Sequence, residues 1–244
     1  MEHTVSDWLG FERWDFRFED RDALLVFPRG EKNGHVAVKM EYFGAFPNLE
    51  EELLRRGWCI AYLSNINRWG TDADSDAKAR FLSFLQSEFG LYGRAALVGM
   101  SCGGLCSVNF AAKYPDLVSV LYLDAPVMNL YSCPMGFGEG DPLGGERGWE
   151  ELVDAYGFTR ASFLLYREHP VDKIGILAEH KIPVALIYGD ADRVVPYPEN
   201  GAPLEALYRS LSLPLFCVGK PGCGHHPHGL EDPTPLADFI EKFA

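Results

Sequence analysis

The sequence predicts an α/β domain built on a mostly parallel sheet with helices on both faces. Eight short runs rich in β-branched and aromatic residues recur along the 244 residues, and stretches with apolar residues at three- and four-residue spacing lie between the later runs. The first runs follow one another with little room for helices. We therefore expect the sheet to begin with an antiparallel part and to continue with alternating strands and helices.

The predicted elements follow in chain order. Strands are expected at 11–18, 23–28, 36–43, 59–65, 95–100, 119–125, 184–190 and 215–220. Helices are expected at 48–57, 74–90, 102–114, 202–211 and 233–243. Residues 126–182 break the alternation with a glycine-rich stretch and two or three helical patterns. We interpret this segment as a small cap inserted into a single domain that spans residues 1–244.

Composition limits the classes of partner. Hydrophobic residues make up 47% of the chain and charged residues 23%, which is typical of a globular domain. The formal net charge of -13 disfavours nucleic acid and membrane surfaces, because an acidic surface repels phosphate groups. A neutral or cationic small molecule fits better, and the oligomeric state stays open.

The start of the chain and the cysteines indicate a compartment. The opening MEHTVSDWLGFERWDF has no basic region followed by an apolar run, and the six cysteines are scattered rather than spaced like a disulfide scaffold. We therefore expect a cytoplasmic protein with reduced thiols.

One motif suggests nucleophilic chemistry. Residues 99–103, GMSCG, fit the pattern G-x-S-x-G and lie between a predicted strand and a predicted helix. That context is typical of a nucleophile elbow, in which the serine, here Ser101, takes a strained backbone and the glycines let strand and helix pass closely. A serine hydroxyl is a poor nucleophile without a base, and the base needs an orienting acid. The motif therefore predicts two partners further along the chain.

Both partner types follow, each after a predicted strand. The segment GDADRVVP, 189–196, brings Asp190 and Asp192 after the strand at 184–190, and PGCGHHPH, 221–228, brings three histidines after the strand at 215–220. Open α/β sheets keep their sites at these strand ends. Serine, then aspartate, then histidine is the order of the α/β-hydrolase triad.

On these three motifs the chain resembles the α/β-hydrolase-fold serine hydrolases, and within them bacterial esterases and prolyl-oligopeptidase-like hydrolases. The resemblance covers nearly the whole chain and implies the α/β-hydrolase fold. The superfamily's G-x-x-D-x-x-V-P pattern favours Asp192 over Asp190 as the acid. Its histidine usually follows G-x-G, which favours His225 as the base, with His226 and His228 as alternatives.

An oxyanion hole needs two backbone N–H groups. One is expected from Cys102, the residue after the nucleophile, and the other from the loop after the third predicted strand, at Tyr42 or Phe43. Many members of the superfamily have His-Gly at this point, and this chain does not. Cys102 is disfavoured as a nucleophile because the elbow presents Ser101.

Further residues complete the set of candidates. Trp69, Tyr131 and Tyr197 lie in predicted loops on the catalytic side, where aromatic rings could line a substrate pocket. Asp124 lies at the end of a predicted strand where some hydrolases place an alternative acid, but it is expected to brace the loop that leads into the cap. Cys223 and the three histidines could suggest zinc, but four ligands within six residues rarely reach one tetrahedral centre. No metal and no cofactor are therefore expected.

These residues favour a serine hydrolase that cleaves a small carboxylic ester, such as a short-chain acyl ester or an acetylated sugar, through an acyl-enzyme. A peptidase or amidase of the same fold would use the same residues, although oligopeptidases usually carry a large additional domain. A non-catalytic binding protein of this fold typically loses a triad member, whereas all three residue types are present here.

Overall fold

One nine-stranded sheet organises the molecule in a computed structural model that describes all residues 1–244. The strands are β1 His3–Trp8, β2 Phe11–Phe18, β3 Arg21–Val26, β4 Val36–Lys39, β5 Cys59–Leu63, β6 Ala95–Met100, β7 Val118–Asp124, β8 Val184–Gly189 and β9 Leu215–Lys220. The α-helices are α1 Asn48–Arg55, α2 Asp72–Phe89, α3 Cys102–Lys113, α4 Glu146–Tyr156, α5 Arg160–Phe163, α6 Ile174–Glu179, α7 Gly201–Ser210 and α8 Thr234–Phe243.

The strand order is β1-β2-β3-β5-β4-β6-β7-β8-β9. The pairs β1/β2, β2/β3 and β3/β5 are antiparallel, and all pairs from β5/β4 onward are parallel. The predicted mostly parallel sheet with an antiparallel beginning is therefore confirmed.

The sheet has one strand more than the eight that the sequence predicts. The additional strand, β1, pairs only with β2 at the edge, and every residue of it except the half-buried Trp8 is exposed. An edge strand with two solvated faces lacks the apolar alternation by which a strand is recognised. β4 is also shorter than predicted, since it ends at Lys39 and the chain then enters an irregular loop.

Helices cover both faces of the sheet, as predicted. Two separate apolar clusters form the core, one on each face. The larger cluster includes Phe81 of α2, Leu105 of α3 and Leu204 of α7. The smaller one includes Leu53 of α1 and Ile240 of α8. The strands β4, β6, β8 and β9 run in the same direction, so the loops that follow them lie at one edge of the sheet.

The segment 126–182 contains α4, α5, a 3-10 turn at Pro170–Lys173 and α6. The 3-10 turn and α6 pack against α3, and α6 also contacts α7. Phe163 of α5 is fully buried among the rings of Tyr131, Tyr156 and Tyr166. The segment thus has an aromatic core of its own beside the sheet, and its role as a cap stays a prediction.

A helix that crosses a bilayer needs about 20 consecutive, predominantly apolar residues. None of the eight helices has both the length and the apolarity to cross a bilayer.

Candidate active site

Ser101 occupies the turn between β6 and α3 in a conformation that residues other than glycine rarely adopt. Its backbone angles are φ 53° and ψ -120°. The Ser101 N–H donates to the carbonyl oxygen of Asp124 at 2.9 Å, and the Ser101 carbonyl accepts from the N–H of Val127 at 3.1 Å. Hydrogen bonds on both sides therefore hold the strained residue in place.

The glycines around Ser101 allow close backbone approach. A Cβ atom at Gly99 would lie 2.6 Å from the carbonyl oxygen of Gly103 and would also meet Oγ of Ser107. A Cβ atom at Gly103 would lie 3.3 Å from Cβ of Glu41, in the loop after β4. The motif thus brings strand, helix and the β4 loop closer together than residues with side chains would permit.

A continuous chain of hydrogen bonds starts at the Ser101 hydroxyl. Nε2 of His225 lies 3.0 Å from Oγ of Ser101, and Nδ1 of His225 lies 2.7 Å from Oδ2 of Asp192. An ionised carboxylate only accepts hydrogen bonds, so Nδ1–H donates to Asp192 and Nε2 presents its lone pair to the serine hydroxyl. The structure thus brings together three residues from loops that are far apart in sequence.

Asp192 is held in its charged form. Its side chain is almost fully buried, and Oδ1 accepts the backbone N–H groups of Val194 at 2.8 Å and Val195 at 2.9 Å. Burial alone would raise the pKa of Asp192, but the hydrogen bonds from His225 and these two amides outweigh it and lower the pKa below the ordinary value of 3.8. A fixed negative charge therefore stands behind the His225 ring.

Two of the three backbone N–H groups expected for an oxyanion hole belong to residues that line the cavity at Ser101, and neither has a hydrogen-bond acceptor within the protein. They belong to Cys102, the first residue of α3, and Tyr42, whose backbone has φ 57°. The Phe43 N–H is also without an internal acceptor, and the Phe43 side chain packs against Trp8 and Tyr62. Of the two alternatives for the second donor, only Tyr42 lines the cavity beside the serine.

The loop that carries Tyr42 is anchored by a buried ammonium group. Nζ of Lys39, at the end of β4, donates to the carbonyl oxygen of Ala45 at 3.0 Å and pairs with Glu50 of α1 at 2.5 Å. Lys39 is fully buried. The contact ties the loop that carries Tyr42 to the end of β4 and to α1.

The Cys102 side chain turns inward. It is 1% exposed, and burial raises the pKa of its thiol above the ordinary value. A thiol held neutral in this way is a poor nucleophile. The Cys102 thiol is therefore a poor candidate for the nucleophile.

A cavity of about 380 Å³ opens at Ser101. Its lining is Tyr42, Ala45, Phe46, Arg68, Met100, Ser101, Cys102, Leu143, Val194, His225, His226 and His228. A second cavity of about 670 Å³ shares Tyr42, Arg68 and Leu143 with it and adds Glu41, Asn67, Trp69, Arg147 and Glu151 among others. The mainly apolar cavity at the serine thus adjoins a more open one that also has charged and amide side chains in its lining.

The three aromatic residues predicted for a pocket have different positions. Trp69 is 1% exposed and lines only the second cavity. Tyr131 and Tyr197 line neither cavity, which corrects the expectation for these two residues. The Tyr131 hydroxyl donates to the carbonyl oxygen of Leu164 at 2.7 Å, and the Tyr197 ring stacks on Tyr188 at 3.4 Å. Both rings are used in packing.

Several lining residues carry no signal in the sequence. Phe46, Leu143 and Val194 are single apolar residues in separate loops, and they come together at the cavity only in the folded chain. Arg68 lies next to Trp69, which was predicted, and its guanidinium lies 5.0 Å from the indole ring. Arg68 also pairs with Glu151 of α4 at 2.6 Å. The segment 126–182 therefore contributes to the walls of both cavities.

The remaining candidate acids have other partners. Asp190 is exposed and accepts the Gly222 N–H at 2.6 Å, which braces the histidine loop. Asp124 is buried and pairs with Nδ1 of His228 at 2.8 Å. His226 is exposed and has no hydrogen-bond partner within the protein, and its pKa is lowered by burial and by the neighbouring His225 and His228. Neither Asp190 nor Asp124 bonds to His225.

Comparison with known proteins agrees with this architecture. A family model described as "Putative esterase" matches residues 63–157, which include the serine motif but neither Asp192 nor His225. No curated protein matches the sequence significantly. The chain therefore shares sequence features with esterases over part of its length.

Two solved structures of similar shape are dipeptidyl peptidases. A putative dipeptidyl aminopeptidase IV from Bacteroides ovatus is similar over 99% of this chain, with 15% identity and a TM-score of 0.67. Dipeptidyl peptidase 4 of Porphyromonas gingivalis is similar over 100% of it, with 14% identity and a TM-score of 0.66. This chain covers only 35% of the length of each of these two peptidases.

A third structure is of similar size. MGS-MChE2, an α/β hydrolase from a sediment metagenome of the Mar Chica lagoon in Morocco, matches 93% of this chain and 98% of its own, with 16% identity and a TM-score of 0.58. The sheet order, the strand-turn-helix at Ser101 and these likenesses together show that the chain has the α/β-hydrolase fold. The resemblance inferred from the sequence motifs is confirmed at that level.

Proposed function

We propose that the protein is a serine hydrolase that cleaves small carboxylic esters through an acyl-enzyme. The observation that carries the proposal is the hydrogen-bonded chain from Ser101 through His225 to Asp192, which starts at a serine with strained backbone angles. Position, orientation and a fixed charge are what a serine hydroxyl needs to become a nucleophile near neutral pH.

In the first step, Oγ of Ser101 bonds to the ester carbonyl carbon while its proton moves to Nε2 of His225. The carbonyl oxygen gains the negative charge and accepts the N–H groups of Cys102 and Tyr42. Asp192 stabilises the imidazolium through Nδ1–H. His225 then gives its proton to the alcohol oxygen as the carbon–oxygen bond breaks, and water hydrolyses the acyl-enzyme by the same route.

The two cavities support an ester with an apolar acyl group and a hydroxylated alcohol. The cavity at Ser101 has apolar walls from Phe46, Leu143 and Val194 that suit an acyl group. The adjoining cavity offers Asn67, Arg68 and other polar side chains that can bind hydroxyl groups. An acetylated sugar has both parts.

A fluorophosphonate probe tests the reaction class. Wild-type protein is expected to be labelled covalently at Ser101, and Ser101→Ala is expected to remain unlabelled because the nucleophile is gone. Cys102→Ala serves as the matched control, since only its backbone is assigned a role, and it is expected to be labelled. An unlabelled wild type, or equal labelling of Ser101→Ala, would overturn the proposal.

Substrate preference is tested on acetyl, butyryl and octanoyl p-nitrophenyl esters, an aminoacyl anilide and a panel of acetylated sugars. We expect the esters to be cleaved with a higher kcat/KM than the anilide, and the preferred acyl length to follow from how much of the apolar wall at Ser101 the acyl group contacts. The peptidase alternative has as its support the fold that this chain shares with the two dipeptidyl peptidases. Faster cleavage of the anilide than of any ester would replace the esterase proposal with that alternative.

A further inference from the structure

Three histidine rings converge in the cavity beside Ser101. The rings of His225, His226 and His228 have centroids 4.9 Å apart in every pairing, and one nitrogen atom from each lies within 4.8 Å of the other two. The sequence spacing disfavours a metal centre, because neighbouring residues seldom reach one point. In the folded loop, however, the three histidines do converge, and only Cys223 lies outside the cluster.

Two of the three rings are oriented by buried carboxylates. Nδ1 of His225 bonds to Asp192 at 2.7 Å, and Nδ1 of His228 bonds to Asp124 at 2.8 Å. In both pairs the carboxylate fixes the proton on Nδ1 and leaves the lone pair on Nε2. Zinc-binding histidines have this same outer support, which orients the ring and raises its basicity.

The third ring is adjustable. His226 is exposed and stacks on Phe46 at 5.6 Å between ring centroids. A tetrahedral zinc ion with Zn–N bonds of about 2.0–2.1 Å needs nitrogens about 3.3 Å apart, so the cluster would have to close by roughly 1.5 Å. His226 is the ring that can rotate toward the other two, because it is exposed and makes no hydrogen bond within the protein.

We propose that the side chains of His225, His226 and His228 form an inhibitory site for zinc or a similar imidazole-binding transition-metal cation. The three imidazoles supply three ligands, and water or the Ser101 hydroxyl takes the fourth position. The charges of Asp192 and Asp124 lie directly behind two of the rings and favour the cation. The nearest facing cation in the cavity lining, Arg68, is paired with Glu151.

The consequence for catalysis rests on the proposed function. The metal takes the lone pair on Nε2 of His225, which is the pair that accepts the Ser101 proton. Hydrolysis and metal binding therefore exclude each other. Imidazole ligands favour Zn²⁺, Cu²⁺ and Ni²⁺, whereas Mg²⁺ and Ca²⁺ prefer oxygen ligands and should not inhibit.

Metal binding is tested directly, without reference to activity. Co²⁺ is titrated into the wild-type protein and its visible absorption recorded, and Zn²⁺ binding is measured by calorimetry. We expect one tetrahedral site per chain. His226→Gln removes one ligand and should weaken binding at least about tenfold, since loss of outer-shell support alone commonly costs that much. His180→Gln, at an exposed histidine outside the cluster, is the matched control and should bind like wild type.

Inhibition is then measured on p-nitrophenyl acetate, each variant relative to its own metal-free rate. Zinc should inhibit wild type and His180→Gln reversibly, with recovery in chelator, and the half-inhibiting concentration should rise at least about tenfold in His226→Gln. Absence of a one-to-one site, or equal binding by His226→Gln and wild type, overturns the metal site. Binding in a protein with no hydrolase activity leaves the site standing and overturns the proposed function instead.

Discussion

The substitution Asp192→Asn tests how the proposed base is oriented. The asparagine Oδ1 can keep the hydrogen bonds from Val194 and Val195, while its amide N–H group replaces the carboxylate oxygen that faces His225. An amide N–H donates, so Nδ1 of His225 must accept and the ring proton moves to Nε2. An Nε2–H group cannot take the proton of Ser101.

The expected effect on rate is large and the effect on stability small. In a serine protease with the same arrangement, the change from aspartate to asparagine lowers kcat about 10⁴-fold. At about 1.36 kcal/mol for each factor of ten, this is roughly 5.5 kcal/mol of activation free energy. The fold exchanges one charge-assisted hydrogen bond for a neutral one, a change on the order of 1 kcal/mol. We expect a near-normal Tm together with a nearly inactive protein.

The assay is the initial rate of p-nitrophenyl acetate hydrolysis, with Tm measured on the same samples. Asp190→Asn is the matched control, because the exposed carboxylate of Asp190 contacts only the Gly222 N–H and its loss should leave most of the activity. The reasoning is refuted if Asp192→Asn keeps kcat within about tenfold of wild type. It is equally refuted if Asp190→Asn loses as much activity as Asp192→Asn.

Two further predictions concern packing and pH. Gly99→Ala would place a methyl group 2.6 Å from the Gly103 carbonyl oxygen, so the free energy of unfolding in urea should fall by about 1–3 kcal/mol. Gly175→Ala in α6 is the control, because its methyl group meets no atom within 4 Å, and it should stabilise the helix by up to about 1 kcal/mol. Equal stability of the two variants would contradict this prediction. Burial lowers the pKa of His169 below its ordinary 6.5, so the unfolded chain takes up the proton first and stability is lost as pH falls from 6.5 through the lower folded-state pKa. The fall in Tm on acidification should therefore be shallower in His169→Gln than in wild type, and parallel curves would remove His169 as a cause.

The strands that could be predicted from the sequence are those whose burial requires a recognisable pattern of apolar residues. β6, β7 and β8 are buried along nearly their whole length, and parallel strands covered on both faces appear as continuous apolar runs. β1 has no buried side, so HTVSDW carries no such pattern. It belongs to the sheet through backbone hydrogen bonds, which any sequence can form.

The candidate site divides in the same way. The motifs around Ser101, Asp192 and His225 are local, because backbone geometry at a strand end restricts a few consecutive residues. The pocket is not local. Tyr131 and Tyr197 occupy loops with the expected composition, yet their rings are used in packing because aromatic side chains gain free energy wherever they are buried. Composition alone cannot distinguish these two uses.

The pairing of Asp124 with His228 shows that residue type alone does not identify the base, because the position of the histidine relative to Ser101 also matters. This pair has the same chemistry as Asp192 with His225, including the Nδ1 hydrogen bond, and its ring lies 4.9 Å from that of His225. Only His225 is within hydrogen-bond distance of Oγ of Ser101. Asp124 also accepts the N–H of Gly229 and the hydroxyl of Tyr122, so its charge is shared among three donors. Two equivalent pairs therefore differ in role because one of them reaches the nucleophile, and their closeness is what gives a metal ion two preoriented imidazoles in one cavity.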